Sequence, residues 1–356
     1  MEKIKLGIVG FGFMGHCDAD MMATFDDIDL VAVADTNPEQ LKDAPEGVET
    51  YANIDEMLAN ADINVVMVST PNPSHPEMVK KAAAAKKHVI CEKPAAMSVA
   101  EYDEMVAACE ENGVIFTVHQ QRRWDKDYRI MKEVYDKSMV GDMYIIKSQL
   151  YGVNGNMHDW HIYPEMGGGM LYDWGVHLID QMLDMVKSKI VSLYADVQNV
   201  INENVDDYFK IIMKFENGVT AEIELGTYYL TPKRAWFIGG NKGSALIDGF
   251  AGEGKIVRTA HLLENVPGKI TMTAAGPTRS FGPPEPGLLS EEPLPEVNVD
   301  HRNYFEHFLK AFNGEEDIII KPEQVRRVLC VMDAVRESAK TCLLYTSPSP
   351  RDISGS

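Results

Sequence analysis

Thiols, long apolar runs and positive charge are the three things this chain has little of. Its 356 residues hold five cysteines, Cys17, Cys91, Cys109, Cys330 and Cys342, with no C-x-x-C pair among them. That scatter reads as reduced, mostly buried thiols in a cytoplasmic protein, and nothing marks one of them as a nucleophile. No apolar run approaches the roughly 20 residues of a membrane span, and "MEKIKLGIVG" enters a strand without the anatomy of a signal peptide. The expected setting is therefore cytoplasmic, with no membrane partner. Lysine and arginine number 34 against 54 aspartates and glutamates, a formal net charge of −20. Phosphate backbones need a basic face, so a nucleic-acid partner is excluded. A small anionic ligand is not, because a local arginine or a helix N-terminus overrides the global field.

What is present fits a globular protein, with 45% hydrophobic and 25% charged residues. The length implies two domains, and no tandem repeat is visible. At the front, "IKLGIVGFGFMGHCDADMM" reads as strand, glycine turn and helix. Gly10, Gly12 and Gly15 stand in G-x-G-x-x-G spacing, with Phe13 and Met14 inside the motif. The first glycine suits a tight turn, the second a close approach to a pyrophosphate, and the third helix-on-strand packing. A second strand, "IDLVAVAD", ends in Asp35. A carboxylate there accepts the adenosine ribose hydroxyls and repels a 2′-phosphate, so NAD is the expected cofactor.

Strand and helix then alternate: a helix near 53–60, strand 64–70, a helix from Pro76 to Lys86, the strand "HVICEKP", a helix near 98–111 and the strand "VIFTVHQ". This pattern predicts a doubly wound parallel sheet, whose ligands bind at the carboxyl ends of the strands. Those ends carry Asp35, "STPNPSH" (Ser69, Thr70, Pro71, Asn72, His75) and "CEKP" (Glu92, Lys93). Beyond about residue 122 the pattern changes. A helix over 125–138, a strand from 142 and a His/Trp-rich loop lead to a glycine-started helix over 169–186. Strand-like runs follow at 189–200, 207–216, 218–229, 234–240, 243–248 and 255–262. Strands in series predict a mainly antiparallel sheet. Residues 276–296 read as a Pro/Gly-rich loop before two final helices, near 299–313 and 322–340. The expected organisation is a Rossmann domain over 1–122 and an α+β substrate-binding and oligomerisation domain over 123–341. Residues 342–356 are set aside as a non-native tail, because "CLLYTSPSPRD" back-translates in frame to a string like a transposase sequencing adapter.

"GGGMLYDWGVHLID" places Asp173 and His177 four residues apart, on one face of an α-helix. Acid and imidazole there could be a proton relay, part of a metal site, or a satisfied polar pair. The metal reading recruits His158 and His161 from "MHDWHIYPE", a set that could suit zinc. Asp180 and Asp184 fall near the same face and read as polar helix surface or as supports standing behind the site. Trp160, Tyr172 and Trp174 could stack on a sugar ring, although Trp174, spaced with Leu178, reads more readily as core.

"GIVGFGFMG", "STPNPSH", "CEKP" and "YDWGVHLID", in that order, resemble the Gfo/Idh/MocA family (glucose–fructose oxidoreductase, inositol dehydrogenase and MocA) over nearly the whole chain. The resemblance implies NAD(P)-linked oxidation or reduction of a sugar, polyol or related compound, with Lys93, Asp173 and His177 as the catalytic trio. It favours the proton relay and needs no metal. Histidine, with an ordinary pKa near 6.5, suits general-base work, and Lys93 would stabilise negative charge at the reacting oxygen. Arg122, His158, Trp160 and His161 join the trio as expected substrate contacts. Two other functions keep the same residues in view. One is a redox-neutral glycosidase using a transient keto-sugar, set apart by product release without net NADH. The other is a non-enzymatic sugar or nucleotide sensor, which has no need of all three residues. Family members often pair through the second-domain sheet, and runs such as "VTAEIELGTYYL" leave a second face that reads as partly apolar. A homodimer or homotetramer through residues 189–262 is expected.

Overall fold

The computed structural model describes residues 2–152, 157, 159–262, 268–280 and 286–341. Five short apolar runs and the polar edge strand β3 form its first sheet: β1 (Ile4–Val9), β2 (Ile28–Ala34), β3 (Glu49–Tyr51), β4 (Val65–Val68), β5 (His88–Cys91) and β6 (Phe116–Val118). All pair in parallel, in the order β3-β2-β1-β4-β5-β6. Every residue of β4 is buried, as a strand sandwiched between two helical layers requires. The layers are α1 (Phe13–Met22), α2 (Ile54–Asn60), α3 (His75–Ala84) and α4 (Val99–Asn112). Asn53 and Ser98 start α2 and α4 by accepting the backbone N–H three residues on, which satisfies donors that a helix leaves open. The strand order reverses between β1 and β4, and that reversal opens the crevice of a Rossmann sheet.

A helix, α5 (Lys126–Asp136), precedes β7 (Met143–Tyr151). One π-helical turn, Leu171–Gly175, then runs into α6 (Val176–Met185). The strands that follow are β8 (Ile190–Gln198), β9 (Tyr208–Phe215), β10 (Thr220–Gly226), β11 (Trp236–Gly240), β12 (Gly243–Ile247), β13 (Gly254–Thr259), β14 (Lys269–Thr273), β15 (Gly276–Ser280) and β16 (Leu289–Glu292). Seven of them join β7 in the second sheet, in the order β16-β13-β12-β11-β7-β10-β9-β8. Every neighbour pair is antiparallel except β7 with β10. β14 and β15 pair only with each other. The helices α7 (Arg302–Phe312) and α8 (Pro322–Thr341) close the described chain. Among the described residues no helix is long and apolar enough to cross a membrane.

One expectation needs correction. The stretch 276–296 is not all loop: it supplies β15 and the edge strand β16. Glu291 and Glu292 gave it a polar look, yet they pair with Lys255 and Arg258 on β13, the kind of charge that edge strands carry. Helices α5 and α6 do not cover the second sheet alone. α8 also lies along β8 and α6, and its Ser338 hydroxyl accepts the Ala195 N–H at the free edge of β8. The other face of that sheet is mixed: Tyr194, Ile212, Phe237 and Leu246, none of them buried, stand in register with Glu222 and Lys147. Glu222 bridges Lys147 at 3.1 Å and Lys210 at 2.6 Å, and Glu224 accepts from Gln149, Tyr151 and Tyr208.

The last two helices return to the first sheet. Phe305 of α7 meets Phe25 and His119. The carbonyls of Ile320 and Pro322 accept from Thr117 and Tyr102, and Arg326 forks onto Asp103. Met332 is 1% exposed in the middle of α8. Met332→Ala should therefore cost about 2–5 kcal/mol, as cavity-forming truncations do. Urea unfolding with an unchanged m-value checks this, and a shift near zero would mean that α8 is not part of the common core.

Candidate active site

Backbone geometry explains the glycine turn. Gly10 has φ +87°, and a side chain there would meet the Ser69 carbonyl at 2.6 Å; one on Gly15 would strike the Gly10 oxygen at 2.3 Å. A side chain on Gly12 would meet nothing within 4 Å, so it would fill open space above the turn. No side chain caps α1, which begins directly after Gly12. Open space and uncapped N–H groups at a helix start form a cradle that suits a pyrophosphate. Phe13 stands 82% exposed beside it, and Met14 is half-buried in the same turn. Asp35 follows β2 directly, and its carboxylate accepts from Phe11 N–H at 2.8 Å and Asn37 N–H at 2.7 Å. It braces the glycine turn at the place where an adenosine ribose would lie. These residues fit a dinucleotide.

Not every expected cofactor residue can face a ligand. His75 is fully buried, its ring nitrogens 2.7 Å from the Thr70 carbonyl and 3.0 Å from the Pro94 carbonyl. It fastens the loop after β4 to the cis Lys93–Pro94 turn. Asn72 is buried as well and reaches the Met166 carbonyl at 3.1 Å, tying this loop to the approach to α6. Ser69, Thr70 and the exposed Pro71 stay near the crevice. Glu92 lies beneath the surface at 4% exposure, with one oxygen 2.5 Å from His119 Nδ1 and the other accepting the Lys93 N–H at 3.1 Å. Among the described residues, acid and imidazole atoms converge within 4.8 Å at Asp18, Glu92 and His119. That is not the set that the loop histidines would have formed.

Charge holds this cluster together. Burial disfavours a charged His119, but Glu92, and after it Asp18, outweigh that penalty and raise its pKa. Its ring also lies against Tyr304 and Phe305, with centroids 4.7 and 4.9 Å away, faces that favour a cation. Burial likewise opposes ionisation of Glu92, and the His119 charge reverses the balance and lowers its pKa. Asp18 accepts the Ser69 hydroxyl at 3.0 Å. Burial first, and the Glu92 charge second, push its carboxyl up to about 7.

Above the cluster, Lys93 Nζ donates to Asp173 twice, at 2.8 Å to the carboxylate and 3.0 Å to the carbonyl. Asp173 does not orient His177, as an α-helical four-residue spacing would have it. It sits in the π turn, whose i→i+5 geometry breaks the stacking of residues four apart. The acceptor at His177 Nδ1 is the side-chain oxygen of Gln120, 2.9 Å away. A carbonyl only accepts, so Nδ1 carries the hydrogen and Nε2 keeps its lone pair. His177 is 3% exposed. Burial, and then the charges of Lys93, Arg122, His119 and His301, hold its pKa well below the ordinary value.

Arg122 lays its guanidinium 3.9 Å over the Trp174 ring and pairs with Asp125 at 3.2 Å. Both line a cavity of about 180 Å³ that includes Tyr151, Gln181, Trp236 and Phe250. Trp174 is thus a half-buried wall, not core. His161 stacks on Trp160 and lies 3.9 Å from the Asp173 carboxylate; His158 lies outside the described residues, as do 342–356. Tyr172 bonds the Met97 carbonyl, a tie between loops. Asp180 is not helix surface. It takes a buried two-pronged contact from Arg123 at 2.6 and 2.7 Å, while Asp184 accepts from Tyr128. Sequence reasoning missed Asp18, His119 and Gln120. The two after β6 had a signal, since a strand end of a Rossmann sheet faces the crevice; Asp18, inside α1, had none.

Residues 4–120 match an oxidoreductase family with an NAD-binding Rossmann fold, GFO_IDH_MocA, and residues 128–246 match the GFO/IDH/MocA C-terminal domain. A solved NAD-binding protein from Listeria innocua is 31% identical with a TM-score of 0.87, over 99% of this chain and 98% of that one. The scyllo-inositol 2-dehydrogenase (NADP(+)) of Bacillus subtilis is 24% identical over 96% of this chain and 95% of its own. The 2,7-anhydro-N-acetylneuraminate hydratase of Escherichia coli is 29% identical over 69% and 68%.

Asp18 gives the buried cluster a measurable signature. The unfolded chain loses its proton near 3.8, whereas the folded protein keeps it to about 7. The folded state binds more protons across that window, so this residue's contribution to stability falls as pH rises through it. Asp18→Asn removes the titration. Its melting temperature relative to the parent should rise between about pH 5 and pH 8 and then level off; a pH-independent difference would show that Asp18 ionises normally.

Proposed function

Because the chain belongs to the Gfo/Idh/MocA oxidoreductase family, we propose that it transfers hydride between NAD and a carbinol carbon of a sugar, polyol or glycoside. The observation that carries the reading is the Lys93–Asp173 ion pair, whose ammonium is also the first of the charges acting on His177. The nicotinamide ring, when bound, supplies the hydride acceptor. His177 Nε2 takes the hydroxyl proton as general base. Lys93 holds a positive charge against the oxygen as that proton leaves, and Asp173 fixes the direction of the ammonium. Arg122, on the wall of the 180 Å³ cavity, and Trp160 and His161, on the Asp173 side, are the residues we assign to reading substrate hydroxyls. The inositol dehydrogenase relative supports a cyclic polyol or sugar.

A redox-neutral course has one observation in its favour, the relative named as a hydratase. The same residues would serve it. Incubating the protein with NAD and a panel of inositols, sugars, sugar acids and glycosides separates the two. NADH that accumulates with product supports net oxidation, and product without NADH supports the redox-neutral course. Lys93→Met and His177→Ala should each lower kcat at least ~100-fold while NAD still binds. Near-normal turnover in either would remove that residue from the chemistry.

Asp35 places a carboxylate at the end of β2, so NAD should bind more tightly than NADP. Asp35→Ser should narrow that preference about tenfold, since the repulsive group is gone. Equal affinity of the parent protein for both dinucleotides in a fluorescence titration would overturn the assignment.

A further inference from the structure

We propose that Gln120 is the residue that sets the protonation state of His177: its amide oxygen holds the Nδ1 hydrogen, frees Nε2 to accept a proton, and withholds the negative charge that would favour an imidazolium. Both side chains are buried, at 1% and 3% exposure, and their contact is 2.9 Å. The carboxylate that sequence spacing offers for this task, Asp173, is taken by Lys93. The backbone of Gln120 is anchored. It follows His119, whose ring is locked between Glu92 and two aromatic faces, and its own N–H bonds the Val118 carbonyl at 2.8 Å.

The choice of an amide has a chemical meaning. A carboxylate at this position would stabilise the protonated ring and leave it charged near neutral pH. An amide oxygen orients the ring equally well without that pull. The charged groups around His177 are Lys93, Arg122, His119 and His301, with Asp173 committed to Lys93 and Glu92 to His119. Positive neighbours and a neutral acceptor together keep the base unprotonated well below pH ~6.5, where an ordinary histidine would already be charged. The inference rests on the reading of His177 as the base and adds the residue that makes it one.

The test reads the imidazole directly, on the full chain with no substrate. Long-range proton–nitrogen correlation spectra of ¹⁵N-histidine-labelled protein distinguish Nδ1–H from Nε2–H, and His177→Asn identifies the signal by its loss. The parent should show the Nδ1–H form and no protonation across about pH 6 to 8. Gln120→Glu keeps an acceptor oxygen and should raise the pH at which His177 becomes charged. Gln120→Leu should give a mixture of the two neutral forms. An Nε2–H signal in the parent, or a Gln120→Glu titration identical to the parent's, would overturn the proposal. Where the substrate panel yields turnover, Gln120→Glu should move the acid limb of kcat/KM to higher pH, and Gln120→Leu should lower kcat about tenfold or more with little change in KM. A merely structural role would lower stability without moving that limb. If no compound is turned over, the hydride-transfer reading falls, while the spectra still decide the role of Gln120.

Discussion

The buried pair of Glu92 and His119 is the contact on which the rest of the cleft depends. Two charges removed from water carry a desolvation cost, and only close, well-directed partners offset it. Glu92 meets that condition with His119 on one oxygen and the Lys93 N–H on the other. Each outward-facing group is then one covalent step from the pair. Lys93 follows Glu92 in the chain, and Gln120 follows His119. The pair thus fixes the ammonium and the acceptor of the imidazole together, from the ends of adjacent strands β5 and β6. Asp18 and Ser69 extend the same network to α1 and the end of β4, so the glycine turn shares its anchorage.

The second domain contributes its part through an irregularity. A regular helix through 169–186 would stack Asp173 on His177 and join them in one dyad. The π turn separates them, and each takes a partner from the first sheet instead. Gly175 suits this packing, because a side chain there would begin only 3.0 Å from Leu171 and 3.3–3.5 Å from the ring of Phe209. Arg123 then pins α6 by its two contacts to Asp180 and reaches Gln324 on α8 at 3.0 Å. Two residue pairs that cross the cleft replace one pair within a helix.

The division between what could and could not be read from sequence follows contact range. The glycine turn, Asp35 and both sheets depend on local spacing, and local spacing is what a sequence displays; Lys93, Asp173 and His177 came together only through the family resemblance. The partner of each did not follow, because a π turn leaves no periodic mark. The choice between surface and support stayed open for Asp180 for a related reason: its counter-charge, Arg123, lies fifty-seven residues away. His75 and Glu92 were taken as ligand contacts because they stand in motifs, yet both serve those motifs from below.

The return of α8 to the first sheet bears on how the molecule is made. A ribosome releases the chain from its N-terminus, and domains generally fold in that order. Here the six-stranded sheet is complete at Val118, but Thr117, Tyr102 and Asp103 meet their partners only when residues 320–326 emerge. The edge of β8 waits longer still, for Ser338. Neither half can finish before residues 320–338 have emerged, so the nascent chain carries uncovered apolar surface on both sheets until then. Stalled or prematurely terminated chains would be equally incomplete in both domains, and quality control could recognise them without testing for activity.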